Sequence, residues 1–293
     1  MAGMSMPLHT MKLGWPAETW PALGLGTWRF GESARTANEE VAMIRRSVEI
    51  GYRLFDTAEM YGEGGAERVL GRALAQMLGR PHTIRRDQLH IVSKAYPHHG
   101  DAAGLLRACD ASRRRLQLDT IDLYLLHWRG DIPLAETLRG FEQLQQKGWI
   151  RHWGVSNFDT GDLNELLALQ GAAACAANQV YYSLSERGVE FDLLPRMREK
   201  HMPLMAYCPI DGGRITQDAR LAKLAATLDV SAAQIALAWL LRQPGVMAIP
   251  KAGREEHLLE NWRCQQLVIP DSAYSELEAM FPKPSRRHGL AMR

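Results

Sequence analysis

Residues 120–127 read TIDLYLLH. Positions 121–126 are apolar almost throughout, so a strand made of them would be covered on both faces, as in a parallel sheet. Similar short apolar runs occur at ALGLGTW (22–28), YRLF (52–55), QLHIVSK (88–94), WIRHWGV (149–155), AACAANQV (173–180), MPLMAYCP (202–209) and GVMAIP (245–250). Longer segments with helical spacing lie between them. Leu105, Cys109, Ser112 and Leu116 share one helix face, and so do Leu134, Leu138, Phe141 and Leu144. Strand candidates alternating with helices predict repeated βα units. A doubly wound open sheet and a closed barrel both fit that alternation; the count of strands favours a (β/α)8 TIM barrel. Helical patterns at 217–228, 231–242 and 272–280 read as extra helices near the C-terminal half.

The chain has 293 residues, a length that α/β barrels reach as one domain, and no Gly/Ser linker interrupts it, so 1–293 is expected to be a single domain. Hydrophobic residues make up 46% and charged residues 23%, which suits a soluble globular protein. A net charge of +2 gives no field that would favour nucleic acid or an anionic membrane, and neither partner is expected. The cluster Arg113, Arg114 and Arg115 falls inside a helical pattern and reads as a solvated face. Cys109, Cys175, Cys208 and Cys264 form no C-x-x-C pair, which fits a reducing cytoplasm. The opening MAGMSMPLHTMKLGW lacks a signal-peptide pattern, and no apolar stretch approaches the roughly 20 residues that span a bilayer.

Absent motifs narrow the chemistry. Gly24 and Gly26 begin a G-x-G-x-x-G pattern, but position 29 is Arg29; Gly62 and Gly64 begin another that fails at Glu67. A Walker A loop, an H-E-x-x-H pair and a G-x-S-x-G elbow are also missing. His98 and His99 read as solvated loop residues, and no metal is assigned.

In a parallel barrel, chemistry gathers at the C-terminal ends of the strands. The run at 52–55 leads into Asp56, with Tyr61 just beyond. The next two runs end on Lys94 and on His127. Later runs end on Ser156 and Asn157, on Asn178 and Gln179, and at Tyr207. Each of these residues alone has a structural explanation. Three ionisable groups and a tyrosine at neighbouring rim positions are costly to bury without a purpose. A free tyrosine has a pKa of about 10, and an ammonium beside it is expected to favour the phenolate. Asp56 would hold Lys94 charged, while His127 would orient a substrate oxygen. The set makes Tyr61 a general acid aimed at a carbonyl oxygen. None of these groups can donate hydride, so a redox cofactor is required.

The sequence resembles the aldo-keto reductases from ALGLGTW (22–28) to about Met280. The resemblance rests on GYRLFDTAEMYG (51–62), IVSK (91–94), DLYLLHW (122–128), IRHWGVSNF (150–158), ANQVYY (177–182), AYCP (206–209), AAQIALAWLL (232–241) and IPKAGREEHLLEN (249–261). DTAEMYGEGGAE and the HWRG stretch look most similar to small bacterial members that reduce methylglyoxal and related aldehydes. The resemblance implies a (β/α)8 barrel that binds NADPH in an extended pose without a Rossmann domain. It places the catalytic tetrad on Asp56, Tyr61, Lys94 and His127. It places nicotinamide contacts on Ser156, Asn157 and Gln179, with Tyr207 stacking on the ring, and first-strand contacts on Thr27 and Trp28. A pyrophosphate loop would run through Pro209, Ile210, Gly213 and Arg214. The adenosine end would fall on Pro250, Lys251, Ala252, His257, Glu260 and Asn261. Ala252 and His257 depart from the Ser or Thr and the Arg that the family often carries there. Lys251 and Arg254 could pair with a 2′-phosphate, Arg254 compensating for the guanidinium lost at His257. NADP(H) is therefore the expected cofactor, with NAD(H) left open.

Trp28, Met60, Tyr96 and Trp128 are expected to wall a pocket for a small aldehyde or ketone, 2-oxoaldehydes such as methylglyoxal included. The tail FPKPSRRHGLAMR (281–293) is short and polar and is expected to leave that pocket open. The family resemblance favours a monomer. Two other readings stay open: a reductase fold retained as a non-catalytic nucleotide-binding or partner-binding protein, and a Schiff-base aldolase acting through Lys94. The aldolase needs a free, neutral lysine, and Asp56 argues against one.

Overall fold

The computed structural model describes residues 9–13, 18–79 and 84–293. Strands β3 (Leu25–Gly26), β4 (Leu54–Asp56), β5 (His90–Ala95), β6 (Ile121–Leu126), β7 (Ile150–Ser156), β8 (Cys175–Tyr181), β9 (Leu204–Tyr207) and β10 (Val246–Ala248) pair in chain order, every pair parallel. The first and last strands meet through Gly24 N donating to Ala248 O at 2.9 Å, Ala248 N to Ala22 O at 2.8 Å and Gly26 N to Pro250 O at 3.1 Å. These bonds close the sheet into the expected (β/α)8 barrel. All six residues of β6 are buried, as its apolar run predicts.

Each strand is followed by a helix, and the helices take the periodicity seen in the sequence. In α3 (Ala102–Leu116), Leu105, Cys109, Ser112 and Leu116 are buried; in α4 (Leu134–Gln146), Leu134, Leu138, Phe141 and Leu144 are buried. Asp101 caps α3 by accepting from Gly104 N at 2.8 Å. The solvated-face reading of the arginine cluster holds for Arg114 alone. Arg115 is partly buried and donates to Glu67 at 2.5 Å, while Arg113 lies 4.7 Å over the Trp149 ring.

Of the two helices expected as additions between β9 and β10, only α7 (Ala219–Thr227) is one. Helix α8 (Ala232–Leu241) is the barrel's own crossover to β10, and all its apolar residues are buried. After α9 (Glu255–Arg263), α10 (Asp271–Met280) is the second addition. No single helix among the described residues is long and apolar enough to cross a membrane.

Antiparallel β1 (Thr10–Leu13) and β2 (Glu18–Pro21) form a hairpin that the apolar runs did not reveal. Its Leu13 and Trp20 join Leu54, Val92, Leu123 and Met247 in the cluster filling the barrel interior. Trp20 lies 4.3 Å from the ring of His90, the first residue of β5, so the hairpin plugs the N-terminal end of the barrel. Burying each such leucine contributes about 1.5–3 kcal/mol. The C-terminal end is the one left for a site.

Candidate active site

At the C-terminal mouth, Asp56 closes β4, Lys94 is the penultimate residue of β5 and His127 follows β6 directly. The Lys94 ammonium is wholly buried and spends its three protons locally. Nζ donates to Asp56 Oδ2 at 2.8 Å, to Thr57 O at 2.9 Å and to Tyr61 Oη at 3.2 Å. The other Asp56 oxygen accepts from Gln179 Nε2 at 2.8 Å. Polar contacts then continue round the rim. Ser156 Oγ donates to Gln179 O at 2.8 Å, Asn157 Nδ2 to Ser156 Oγ at 3.2 Å and to His127 O at 3.1 Å, and Tyr207 Oη to Asn157 Oδ1 at 2.8 Å. Asn157 holds a left-handed backbone (φ 56°), one that asparagine tolerates better than most residues. Six strand ends, β4 to β9, are thus tied into one hydrogen-bonded network that includes Asp56.

Tyr61 rides on the loop between β4 and α2 (Gly65–Met77). That loop is pinned from behind by two acids. Glu59 accepts from Tyr96 N at 2.6 Å and pairs with His99 Nδ1 at 2.9 Å. Glu67 is fully buried and takes Ser93 Oγ and Arg115 Nε, each at 2.5 Å. A close approach locks the turn from the front: a Cβ on Gly65 would stand 2.3 Å from Gly31 O, so neither of those glycines can carry a side chain without the loops parting. The acids were missed in the sequence because a Glu in a loop, such as Glu59, or in a first helical turn, such as Glu67, looks like ordinary surface.

The electrostatics differ from expectation at Tyr61. Its phenol is pushed well above its ordinary value, first by burial and then by the Asp56 and Cys208 charges. The Lys94 cation, expected to soften the phenol, is offset by the carboxylate at 2.8 Å, so burial prevails and the phenol keeps its proton. Burial likewise pushes the Lys94 ammonium down, opposed by Asp56. His127 is pushed down to about 2 by burial and then by Lys94. It is a neutral imidazole, edge-on to the Tyr61 ring at 5.8 Å, with Nδ1 buried and unpaired.

These residues open onto a cleft of about 980 Å³. Its lining includes Asp56, Tyr61 and His127, then Ser156, Asn157, Gln179 and Tyr207 at the strand ends. Pro209, Ile210 and Gly213 line it from the loop after β9, and Lys251, Arg254, His257, Glu260 and Asn261 from the segment after β10. Trp28, 44% exposed, and Met60 stand at the rim. Several candidates lie off the lining. Thr27 is buried and donates through Oγ1 to Asp56 O at 2.9 Å. Pro250 and Ala252 sit beneath the surface of the cleft. Tyr96 and Trp128 meet edge to face at 6.0 Å beside it, and Arg214 turns outward to pair with Asp211 at 2.8 Å. Among the described residues no cluster of three His, Cys, Asp or Glu could hold a metal ion.

Gly212, inside the expected pyrophosphate loop, lines the cleft, and so do Arg29, Cys208 and Arg293, which the sequence did not single out. Arg293 corrects the reading of the tail. The segment after α10 turns back over the barrel mouth: Arg187 donates to Phe281 O, Arg287 pairs with Asp192 at 3.1 Å, and Arg293 pairs with Asp211 at 2.5 Å. No local pattern in residues 281–293 signals that return.

Residues 22–281 match the model of the Aldo/keto reductase family. Methylglyoxal reductase YeaE of Escherichia coli (strain K12) is 42% identical over 277 residues, covering 93% of this chain and 95% of that protein. Glyoxal reductase of Bacillus subtilis (strain 168) is 32% identical, with 82% of each chain covered. An aldo-keto reductase from Klebsiella pneumoniae, solved in complex with NADPH, superposes with a TM-score of 0.92 at 42% identity, covering 98% of this chain and 100% of that one.

Proposed function

The chain belongs to the aldo/keto reductase family, and we propose that it reduces small aldehydes, 2-oxoaldehydes such as methylglyoxal foremost, with NADPH as reductant and Tyr61 as proton donor. The observation that carries this reading is the bond sequence Asp56, Lys94, Tyr61 at the barrel mouth, open to a cleft beside a neutral His127.

The residues present fit the cofactor. A cleft of about 980 Å³ suits a ligand as long as a dinucleotide. One end offers the Tyr207 ring with the Asn157 and Gln179 amides, and the other offers Lys251 and Arg254, cations suited to a 2′-phosphate. When bound, NADPH supplies the hydride that reaches the carbonyl carbon. Tyr61 Oη gives its proton to the carbonyl oxygen as negative charge grows there. The proton is in place at neutral pH in any case, and burial, which raises the phenol, makes it dependent on the cation beside it when it gives that proton up. Lys94 Nζ, 3.2 Å away, then stabilises the phenolate left behind. Asp56 keeps that ammonium charged and fixed. His127, unprotonated, orients the oxygen with a hydrogen bond rather than supplying the proton. Trp28 and Met60 form the apolar rim that favours a small carbonyl compound.

All these groups come from one chain, so a monomer suffices. The four cysteines are free thiols, as suits a reducing compartment such as the cytoplasm. The aldolase reading weakens on the same geometry, since Lys94 has no unshared proton and no lone pair turned to the cleft. The test is consumption of NADPH, and separately of NADH, against a panel of aldehydes that includes methylglyoxal. Turnover with small aldehydes and a preference for NADPH are expected. No turnover by protein that binds NADPH would favour the non-catalytic reading.

A further inference from the structure

The loop after β9 carries an over-supplied carboxylate. Asp211 is nearly buried, with a left-handed backbone at φ 52°. Its Oδ1 accepts from Tyr181 Oη, from Arg214 Nη2 at 2.8 Å and from Arg293 Nη1 at 2.5 Å; its Oδ2 accepts from Arg214 Nε at 3.0 Å. Arg214 alone would satisfy the charge. Arg293 adds a second guanidinium to the same carboxylate. The two are placed differently: Arg214 is largely exposed, whereas Arg293 is 30% exposed and lines the cleft.

The surroundings of Arg293 are shaped for an anion. Gly212 and Gly213 beside it have φ of 62° and 89°, conformations open to glycine at no steric cost. A Cβ on Gly212 would meet Arg293 Nη1 at 3.3 Å, so the guanidinium lies directly against that backbone. A Cβ on Gly213 would meet nothing within 4 Å, so the loop surface one residue further on is open. The tail is also held along its length. Arg287 spans to Asp159 at 3.6 Å and to Asp192 at 3.1 Å, anchoring the segment that delivers Arg293 across the mouth.

We propose that Arg293 is a binding residue for the diphosphate of the nucleotide cofactor. It is delivered by the returning tail and parked on Asp211 at the edge of the cleft, within reach of phosphate oxygens that lie over Gly212 and Gly213. Asp211 sets its position, and the second guanidinium on that carboxylate keeps Asp211 neutralised when Arg293 is shared with phosphate. This rests on the reading of the cleft as a dinucleotide site and adds a residue to it.

Fluorescence titration of the full-length protein with NADPH, NADH and 2′-AMP, without aldehyde, tests it. Arg293→Ala is expected to raise the Kd of NADPH and NADH by the same factor, about tenfold for a lost charge-assisted hydrogen bond. The Kd of 2′-AMP, which has no diphosphate, stays as in the wild type. Arg293→Lys recovers most of the loss, and unchanged thermal melting shows that the barrel is intact. Equal NADPH affinity in wild type and Arg293→Ala overturns the proposal while leaving the reductase reading in place. So does an equal loss of affinity for 2′-AMP, which would place Arg293 away from the diphosphate. Wild-type protein that binds no NADPH overturns both.

Discussion

The low pKa of His127 ties its burial to acid stability. The imidazole is held neutral down to about 2 in the fold, against an ordinary value of 6.5. Below 6.5 the unfolded chain binds a proton at this residue and the folded protein does not, so stability falls as pH drops, until the folded value is reached. Each pH unit inside that window removes up to about 1.4 kcal/mol. Going from about pH 7.5 to about pH 5, His127 alone should cost about 2 kcal/mol. His127→Gln keeps a polar side chain but cannot titrate. Urea denaturation of both proteins at several pH values across that interval gives the difference in unfolding free energy. The gap should shift in favour of the variant by about 2 kcal/mol from the high to the low end. Parallel stability curves would mean that the imidazole is solvated or already charged in the fold. Its role as a neutral hydrogen-bond donor would then fail.

Lys94→Met leaves Asp56 buried without its partner. Stability should fall by about 3–5 kcal/mol in denaturant titration, and turnover by about a hundredfold or more; a variant of normal stability and rate would contradict the geometry at Nζ. Arg254→Ala should raise the KM for NADPH about tenfold and leave that for NADH unchanged, whereas equal effects on both would remove Arg254 from the 2′-phosphate. Gly65→Ala forces a methyl group to within 2.3 Å of Gly31 O. It should cost about 1–3 kcal/mol and lower kcat by displacing the Tyr61 loop, as melting and steady-state rates would show.

The strands were legible because a parallel barrel covers both their faces, so apolar runs such as 120–127 announce themselves. The ends of those runs then named Asp56, Lys94 and His127, since the chain direction alone decides which end of a strand faces the mouth. What stayed hidden depends on distant partners. The β1–β2 hairpin is too short to show a period, and Trp20 becomes recognisable as a plug only against His90. Glu67 looks like a surface residue until Ser93 and Arg115 close on it. The exact balance at Tyr61 was illegible too, because sequence gives the Lys94 charge but not the 2.8 Å contact that offsets it. Arg293 is the extreme case: its place depends on the path of the tail and on a carboxylate 82 positions earlier in the chain.

The central claim is that Tyr61 supplies the proton. Single-turnover oxidation of bound NADPH by methylglyoxal, with the NADPH Kd measured alongside, compares the wild type with Tyr61→Phe. That substitution removes one oxygen, which touches only Lys94 among the described hydrogen bonds. The rate should fall by about 10²–10⁴ with the Kd unchanged. A variant that oxidises bound NADPH as fast as the wild type would show that the proton comes from elsewhere.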